Sequence, residues 1–183
     1  GRHDGDWRRL AKIGGIGSLY GLGPNGMAVQ MGVEVDLART FLQAMDESFP
    51  GVATWKNEMR AAAGAVGYDE DVPSDDTYRI LTNPFGRPVR IERKRAYTQA
   101  CALLGQSATR DGMAQAVLNM PAWARKRIKL IVHDELVFSL PKENVEQVAN
   151  DLAESMAFNL LGVDITFGVE GWGHNWAEVY SGK

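Results

Sequence analysis

Two adjacent carboxylates, Asp134 and Glu135, follow His133 and are flanked by apolar runs, Leu130-Ile131-Val132 before and Leu136-Val137-Phe138 after. This pattern predicts two apolar strands over 128–140 around a three-residue polar tip that thrusts both acids out of a buried hairpin. Neighbouring anions repel unless a cation stands between them, and oxygen donors of this kind suit Mg²⁺, which is commonly held by one or two carboxylates together with substrate phosphates. A plain polar turn accounts for the same three residues, because acids are frequent in turns.

A second set is Arg8, Lys12, Ile16 and Tyr20. Each four-residue step drifts only about 40° around a helix, so Arg8, Lys12 and Ile16 share a face, with Tyr20 about 120° round from Arg8. Two cations at that spacing can clamp a triphosphate, and an aromatic ring beside Gly21 can offer a flat surface to a base. A solvated basic stripe is the plainer account. Other chemistries fail on spacing. Met27-Ala28 stand where a phosphate loop needs Lys and Ser or Thr. The three histidines and one cysteine are too dispersed for a zinc site, and no Ser/His/Asp set can be nominated.

The elements that must hold these residues follow from periodicity. Arg8 to Leu19 reads as a helix weakened by Gly14, Gly15 and Gly17, so its neighbours must support it. Gly23-Pro24-Asn25-Gly26 reads as a turn, and Asp36 as the N-cap of a helix through Leu37, Phe41, Leu42 and Met45. A further helix is expected over 52–66 and an exposed acidic loop over 69–76. Ile80-Leu81 and Pro88 to Ile91 should form a hairpin around Asn83-Pro84-Phe85-Gly86. A long helix from Lys94 to about Asn119 should break at Met120-Pro121, followed by the 128–140 strands, a helix over 143–161 and a strand over 163–169.

A chain of 183 residues holds one well-filled domain or two small ones, and its 45% apolar and 23% charged content excludes wholly disordered classes. The lone Cys101 allows no internal disulfide and favours a reducing compartment. No apolar run approaches the roughly 18 residues a membrane span needs, and no signal peptide is visible. Opening at Gly1 rather than a methionine suggests a trimmed, excised or recombinant start. The net charge of −3 hides a strong asymmetry: residues 1–85 carry −4, residues 86–129 carry +8 and residues 130–183 carry −7. The basic block has two foci, one over Arg87, Arg90, Arg93, Lys94 and Arg95, the other over Arg125, Lys126, Arg127 and Lys129. Such blocks are footprints for phosphate backbones or, more simply, solvated faces.

Arg8-x3-Lys12-x7-Tyr20-Gly21, then Val132-His133-Asp134-Glu135, then Gly173-His174-Asn175-Trp176 resemble, in that order, the carboxy-terminal part of the family A (polymerase I class) DNA polymerases. Phe49-Pro50-Gly51 and Phe85-Gly86-Arg87 are similar to further landmarks of that family. The resemblance covers almost the whole chain. It implies an α+β fold with a mostly helical fingers segment over 1–85, then over 86–183 the carboxy-terminal half of a palm, with a small antiparallel sheet and packed helices. By the same resemblance, Arg8 and Lys12 would contact the triphosphate of an incoming deoxynucleotide, with Ile16 beside its sugar. Tyr20 and Gly21 would hold the templating site. Asp134 would bind magnesium, two ions completing the site, with Glu135 assisting and His133 by the primer terminus. Gln106, in Gln106-Ser107-Ala108, would reach the primer-template minor groove, while Arg87 and Arg95 would serve as backbone contacts on charge grounds.

Two departures from the family pattern stand out. Ile16 occupies a place where the family typically has Phe or Tyr. The family's other catalytic aspartate lies on a strand upstream of the fingers helix, and neither Asp4 nor Asp6 can supply it. The expectation is therefore template-directed DNA synthesis in the cytoplasm of a bacterial or phage-infected cell, without membrane association. This chain would be inactive alone and would need a second polymerase chain, or a missing upstream segment, that carries the rest of palm and thumb. An apolar surface and an open strand edge should await that partner. The rival readings are a noncatalytic nucleic-acid-binding or assembly module, and an unrelated α+β metabolic protein.

Overall fold

A computed structural model describes residues 4–65 and 77–180. The expected acidic loop over 69–76 lies outside the described residues. The chain divides into two compact units, residues 1–107 and 108–183, and the division falls within one long helix.

The first unit begins with α1 (Asp4–Leu19), α2 (Pro24–Met31), α3 (Val35–Ser48) and α4 (Pro50–Ala62). Helix α1 packs on α2 and α3, α2 on α3, and α3 on α4. The predicted turn at 23–26 is instead the start of α2: Gly23 is the N-cap and Pro24 takes the first helical position, where its missing N–H costs nothing. Asp36 is not the N-cap of α3 but lies in its first turn, one place where a carboxylate suits the helix dipole; Glu34 holds the cap position. The helix expected over 52–66 starts two residues earlier, again at a proline, and ends at Ala62. Strands β1 (Tyr78–Thr82) and β2 (Pro88–Glu92) form the predicted antiparallel hairpin. A 3₁₀ turn over Arg93–Arg95 leads into α5 (Ala96–Asn119). Ile91, Val89 and Ala63 pack with Ala96, Ala100 and Leu104 on the first half of α5. Met27, Ala28 and Ala38 form a smaller core among α2 and α3.

The second unit holds the rest of α5, the short α6 (Ala122–Arg125), β3 (Ile128–Val132), β4 (Glu135–Phe138), α7 (Val145–Met156), β5 (Phe158–Leu160), β6 (Val163–Ile165) and α8 (Trp176–Tyr180). Its core joins Ala116, Met120 and Ala124 to Leu152 and Met156 of α7. The single long helix expected over 143–161 ends at Met156, where Ala157 turns to extended backbone; Leu161 and Gly162, both at positive φ, then close a two-residue hairpin between β5 and β6. The final strand is correspondingly short. Helix α8 was not foreseen. Asn175 caps it by accepting from the Glu178 N–H at 3.1 Å, while Glu178 accepts from the Asn175 side-chain amide at 2.7 Å and from the N–H of His174, one residue before the cap, at 2.8 Å.

The expected small antiparallel sheet is realised, among the described residues, as three separate two-stranded hairpins. The β3–β4 hairpin is not the buried element expected: Leu130 is 47% exposed and Ile131 62% exposed. Each strand of a two-stranded hairpin keeps one edge unpaired. No described helix is long and apolar enough to cross a membrane.

Candidate functional site

The candidate residues fall into two groups, one in each unit. In the first unit, α1 turns Gly14, Gly17 and Ser18 inward and leaves Arg8, Lys12, Ile16 and Tyr20 exposed. The glycines explain how a helix of poor intrinsic propensity persists: a Cβ at Gly14 would meet the Phe41 ring, and one at Gly17 would stand 3.2 Å from Leu22 and Met27. Close packing on α2 and α3 replaces the missing propensity. The carboxy-terminal end of α1 is braced further by Lys56, only 4% exposed, whose Nζ donates to Asp46 Oδ1 at 2.5 Å and to Ser18 Oγ at 3.4 Å.

Helix α1 ends where Gly21 takes φ +75, a conformation that disfavours any residue with a Cβ. A Cβ there would also stand 3.1 Å from the Tyr97 carbonyl oxygen on α5. Arg60 supports the same junction: its Nε donates to the Tyr97 carbonyl at 3.1 Å, and its guanidinium lies 3.9 Å from the centre of the Tyr97 ring. Tyr20 is thereby laid along α5, within 3.8 Å of where a Cβ on Gly105 would be.

The next turn of α5 receives the β1–β2 hairpin. Buried Asn83 accepts from the N–H groups of Phe85 at 2.9 Å and Arg87 at 3.0 Å, and its Nδ2 donates to Ser107 Oγ at 3.2 Å. Exposed Gln106 lies between the Tyr20 contact at residue 105 and the hairpin anchor at residue 107. Four of the nominated residues, Tyr20, Gly21, Arg87 and Gln106, are thus drawn toward one stretch of α5. Arg95 stands apart at the 3₁₀ turn, with its Nε 3.7 Å from Glu92 Oε2.

In the second unit the polar tip has two residues rather than three. Val132 pairs with Glu135, leaving His133 and Asp134 as the connection. His133 carries φ +53, as the first position of a tight two-residue hairpin loop demands, at a steric cost that glycine would avoid. Asp134 is exposed at the tip, whereas Glu135 is half-buried on β4. The two acids are therefore not a matched pair thrust out together. Among the described residues no cluster of three or more His, Cys, Asp or Glu could hold a metal ion. Asp134 and Glu135 are oxygen donors of the kind magnesium takes.

The model of DNA polymerase family A matches residues 2–178. The chain belongs to that family. A DNA polymerase of Mycobacterium phage D29 is 30% identical over 171 residues, which is 91% of this chain and 26% of the relative. DNA polymerase I of Pseudomonas aeruginosa is 30% identical over 182 residues, 96% of this chain and 20% of the relative. This family A chain therefore spans about a fifth to a quarter of the length of these relatives. Its fold is similar, with a TM-score of 0.72 at 24% identity, to the POL domain of Pol1 from M. smegmatis, solved with DNA primer-template and dNTP; the match covers 92% of this chain and 30% of that one.

Sequence reasoning missed the residues that fix α1 and the β1–β2 hairpin against α5. Asn83 was legible only as turn chemistry before Pro84, and nothing local marks its reach to Ser107. Arg60 and Lys56 carried no signal, because a cation on a helix reads as solvent-facing until the fold buries it.

Proposed function

We propose that this chain is the fingers and the carboxy-terminal half of the palm of a template-directed DNA polymerase, with residues 1–85 as fingers and 86–183 as palm. The complete polymerase adds a deoxynucleotide to a primer 3′ hydroxyl: the primer oxygen gives up its proton to solvent and bonds to the α-phosphorus as the bond to pyrophosphate breaks. The observation that carries the reading is the gathering of Tyr20, Gly21, Arg87 and Gln106 along one stretch of α5, with Arg8, Lys12 and Ile16 on the exposed side of α1. Membership of DNA polymerase family A supports it.

In this reading Arg8 and Lys12 bind the triphosphate oxygens, where two cations a helical turn apart offset the charge of the leaving pyrophosphate. Ile16 borders the sugar, and Tyr20 with Gly21 bounds the templating position. Gln106, Arg87 and Arg95 contact the primer-template, the arginines through its backbone. His133 borders the primer terminus. Asp134 and Glu135 are the magnesium ligands this chain offers to a two-ion site, and the ions, when bound, activate the primer hydroxyl and stabilise the leaving group. The remaining aspartate comes from an upstream palm segment, carried by a second polypeptide or by a longer form of this one. Exposed Leu130 and Ile131 on β3 are the surface such a segment would cover. The setting is the cytoplasm of a bacterial or phage-infected cell.

Primer extension with Mg²⁺ and deoxynucleotides tests this. The chain alone at catalytic amounts should give no synthesis, addition of the polypeptide bearing the upstream aspartate strand should restore it, and Asp134→Ala should abolish the restored activity with the fold intact. Robust synthesis by the chain alone refutes the split site. Unchanged deoxynucleotide affinity in Lys12→Ala, with DNA binding retained, would favour a noncatalytic binding module.

A further inference from the structure

We propose that the end of the β3–β4 hairpin remote from Asp134 carries a second DNA contact, a site for a single strand built on Trp123 with Arg125, Lys126, Arg127 and Lys129. Ile128 pairs with Phe138 at that end, whereas Val132 pairs with Glu135 beside the His133-Asp134 tip. Lys129, the member of the site nearest the tip, stands three residues before Val132, about 10 Å along the strand. This contact is distinct from the one assigned to Tyr20, Arg87 and Gln106, and it does not depend on the role given to Asp134.

Three observations converge. No acidic residue occurs between Asp111 and Asp134, so the four cations occupy an acid-free stretch in a chain whose net charge is −3. All four are exposed, and none of them is ion-paired among the described residues; Arg125 instead donates to the Leu118 carbonyl at 3.3 Å, which holds α6 against the end of α5. Trp123 is 49% exposed although it is one of the largest apolar side chains in the unit. Lys126 follows it by three residues, one helical turn on, and is itself exposed.

The local fold keeps this array in place. Buried Ala124 anchors α6 in the core of the unit. The Ser139 N–H donates to the Arg127 carbonyl at 3.0 Å, half-buried Ile128 packs on the core of the unit, and the register of the hairpin shifts between Ile128 and Leu130, at Lys129; Arg127 and Lys129 are both exposed. A row of cations tracks a phosphate backbone, and an aromatic face among them stacks an unpaired base; a duplex presents no such face. That combination selects a single strand over a duplex.

The test is fluorescence anisotropy of the full chain with a labelled dT30 oligonucleotide and with a blunt duplex, each across a salt series. Changing Arg125, Lys126, Arg127 and Lys129 together to Gln should lower dT30 affinity at least about tenfold at 100 mM salt and reduce the salt slope by about 3, at roughly 0.7 per phosphate contact. Trp123→Ala should lower dT30 affinity about fivefold or more and leave the duplex unaffected. A dT30 carrying bromodeoxyuridine should crosslink to Trp123 in the unaltered chain, a readout that needs no variant to fold. Crosslinking should persist in Arg87→Gln/Arg95→Gln. A salt slope unchanged by the four Gln substitutions, a Trp123→Ala that binds dT30 normally, or a crosslink that bypasses Trp123 would overturn the proposal. Because none of these measurements needs nucleotide addition, failure here and failure of the polymerase reading can be told apart.

Discussion

Asn83→Ala is expected to loosen the β1–β2 hairpin from α5 without unfolding the second unit. Asn83 is 3% exposed. Its side chain accepts from the Phe85 and Arg87 N–H groups and donates to Ser107 Oγ. At about 1 kcal/mol net for each hydrogen bond, truncation costs about 3 kcal/mol, moderated because exposed Arg87 allows water near its N–H. A loss of 2–4 kcal/mol corresponds to roughly 30- to 1,000-fold faster amide exchange wherever opening of this region controls exchange. Hydrogen-exchange mass spectrometry should locate that loss in peptides covering 78–92 and the start of α5, and leave those covering 145–165 unchanged. Ser107→Ala removes the bond donated by Asn83 and also the hydroxyl's own donation to the Leu104 carbonyl at 3.1 Å, so it should cost about 1–2 kcal/mol, and the two substitutions together should fall short of additive by about 1 kcal/mol, the bond they share. An Asn83→Ala loss below about 1 kcal/mol, or full additivity with Ser107→Ala, would show that Asn83 does not tie the hairpin to the helix.

Three further outcomes are expected. Gly15→Ala, which meets nothing within 4 Å, should stabilise α1 by up to about 1 kcal/mol in urea denaturation, whereas Gly14→Ala must displace the Phe41 ring and should be neutral to about 2 kcal/mol destabilising; equal gains from both would refute the close-packing account. Asp46→Asn leaves buried Lys56 without its anion and should cost about 1–2 kcal/mol, tempered because Asp46 is 50% exposed, and Lys56→Met added to it should restore most of the loss; no restoration would count against a buried-charge cost. Burial raises the Cys101 thiol above the usual range, against the smaller opposing influence of Arg60 and Lys56. The proton is therefore held more tightly in the folded chain, so the contribution of Cys101 is present at lower pH and is lost as pH rises from the ordinary thiol value of 9.0 through the raised folded value. Stability should fall there and fall less in Cys101→Ala, while a pH profile identical in that variant would contradict the assignment.

Local chemistry determined much of this protein. The β1–β2 hairpin, the long α5 with its break before Pro121, and the β3–β4 pair were legible because periodicity and turn residues act between near neighbours in the chain. The exposed Arg8, Lys12, Ile16 and Tyr20 were legible for the same reason, since a four-residue spacing maps directly onto a helix. Where two local signals competed, the reading failed: Gly23-Pro24 suits a turn and a helix start equally, and only packing of Met27 and Ala28 against Ala38 decides for the helix. The acid tip was read one residue too long because strand pairing of Glu135 with Val132 depends on register rather than on polarity.

What tertiary structure alone decided is which distant residues share a place. Tyr20 meets α5 at Gly105, Asn83 meets it at Ser107, and Lys56 disappears beneath Ser18; each contact joins residues far apart in the chain. No spacing rule connects such positions, because the desolvation and hydrogen bonding that favour them arise only once the helices have packed.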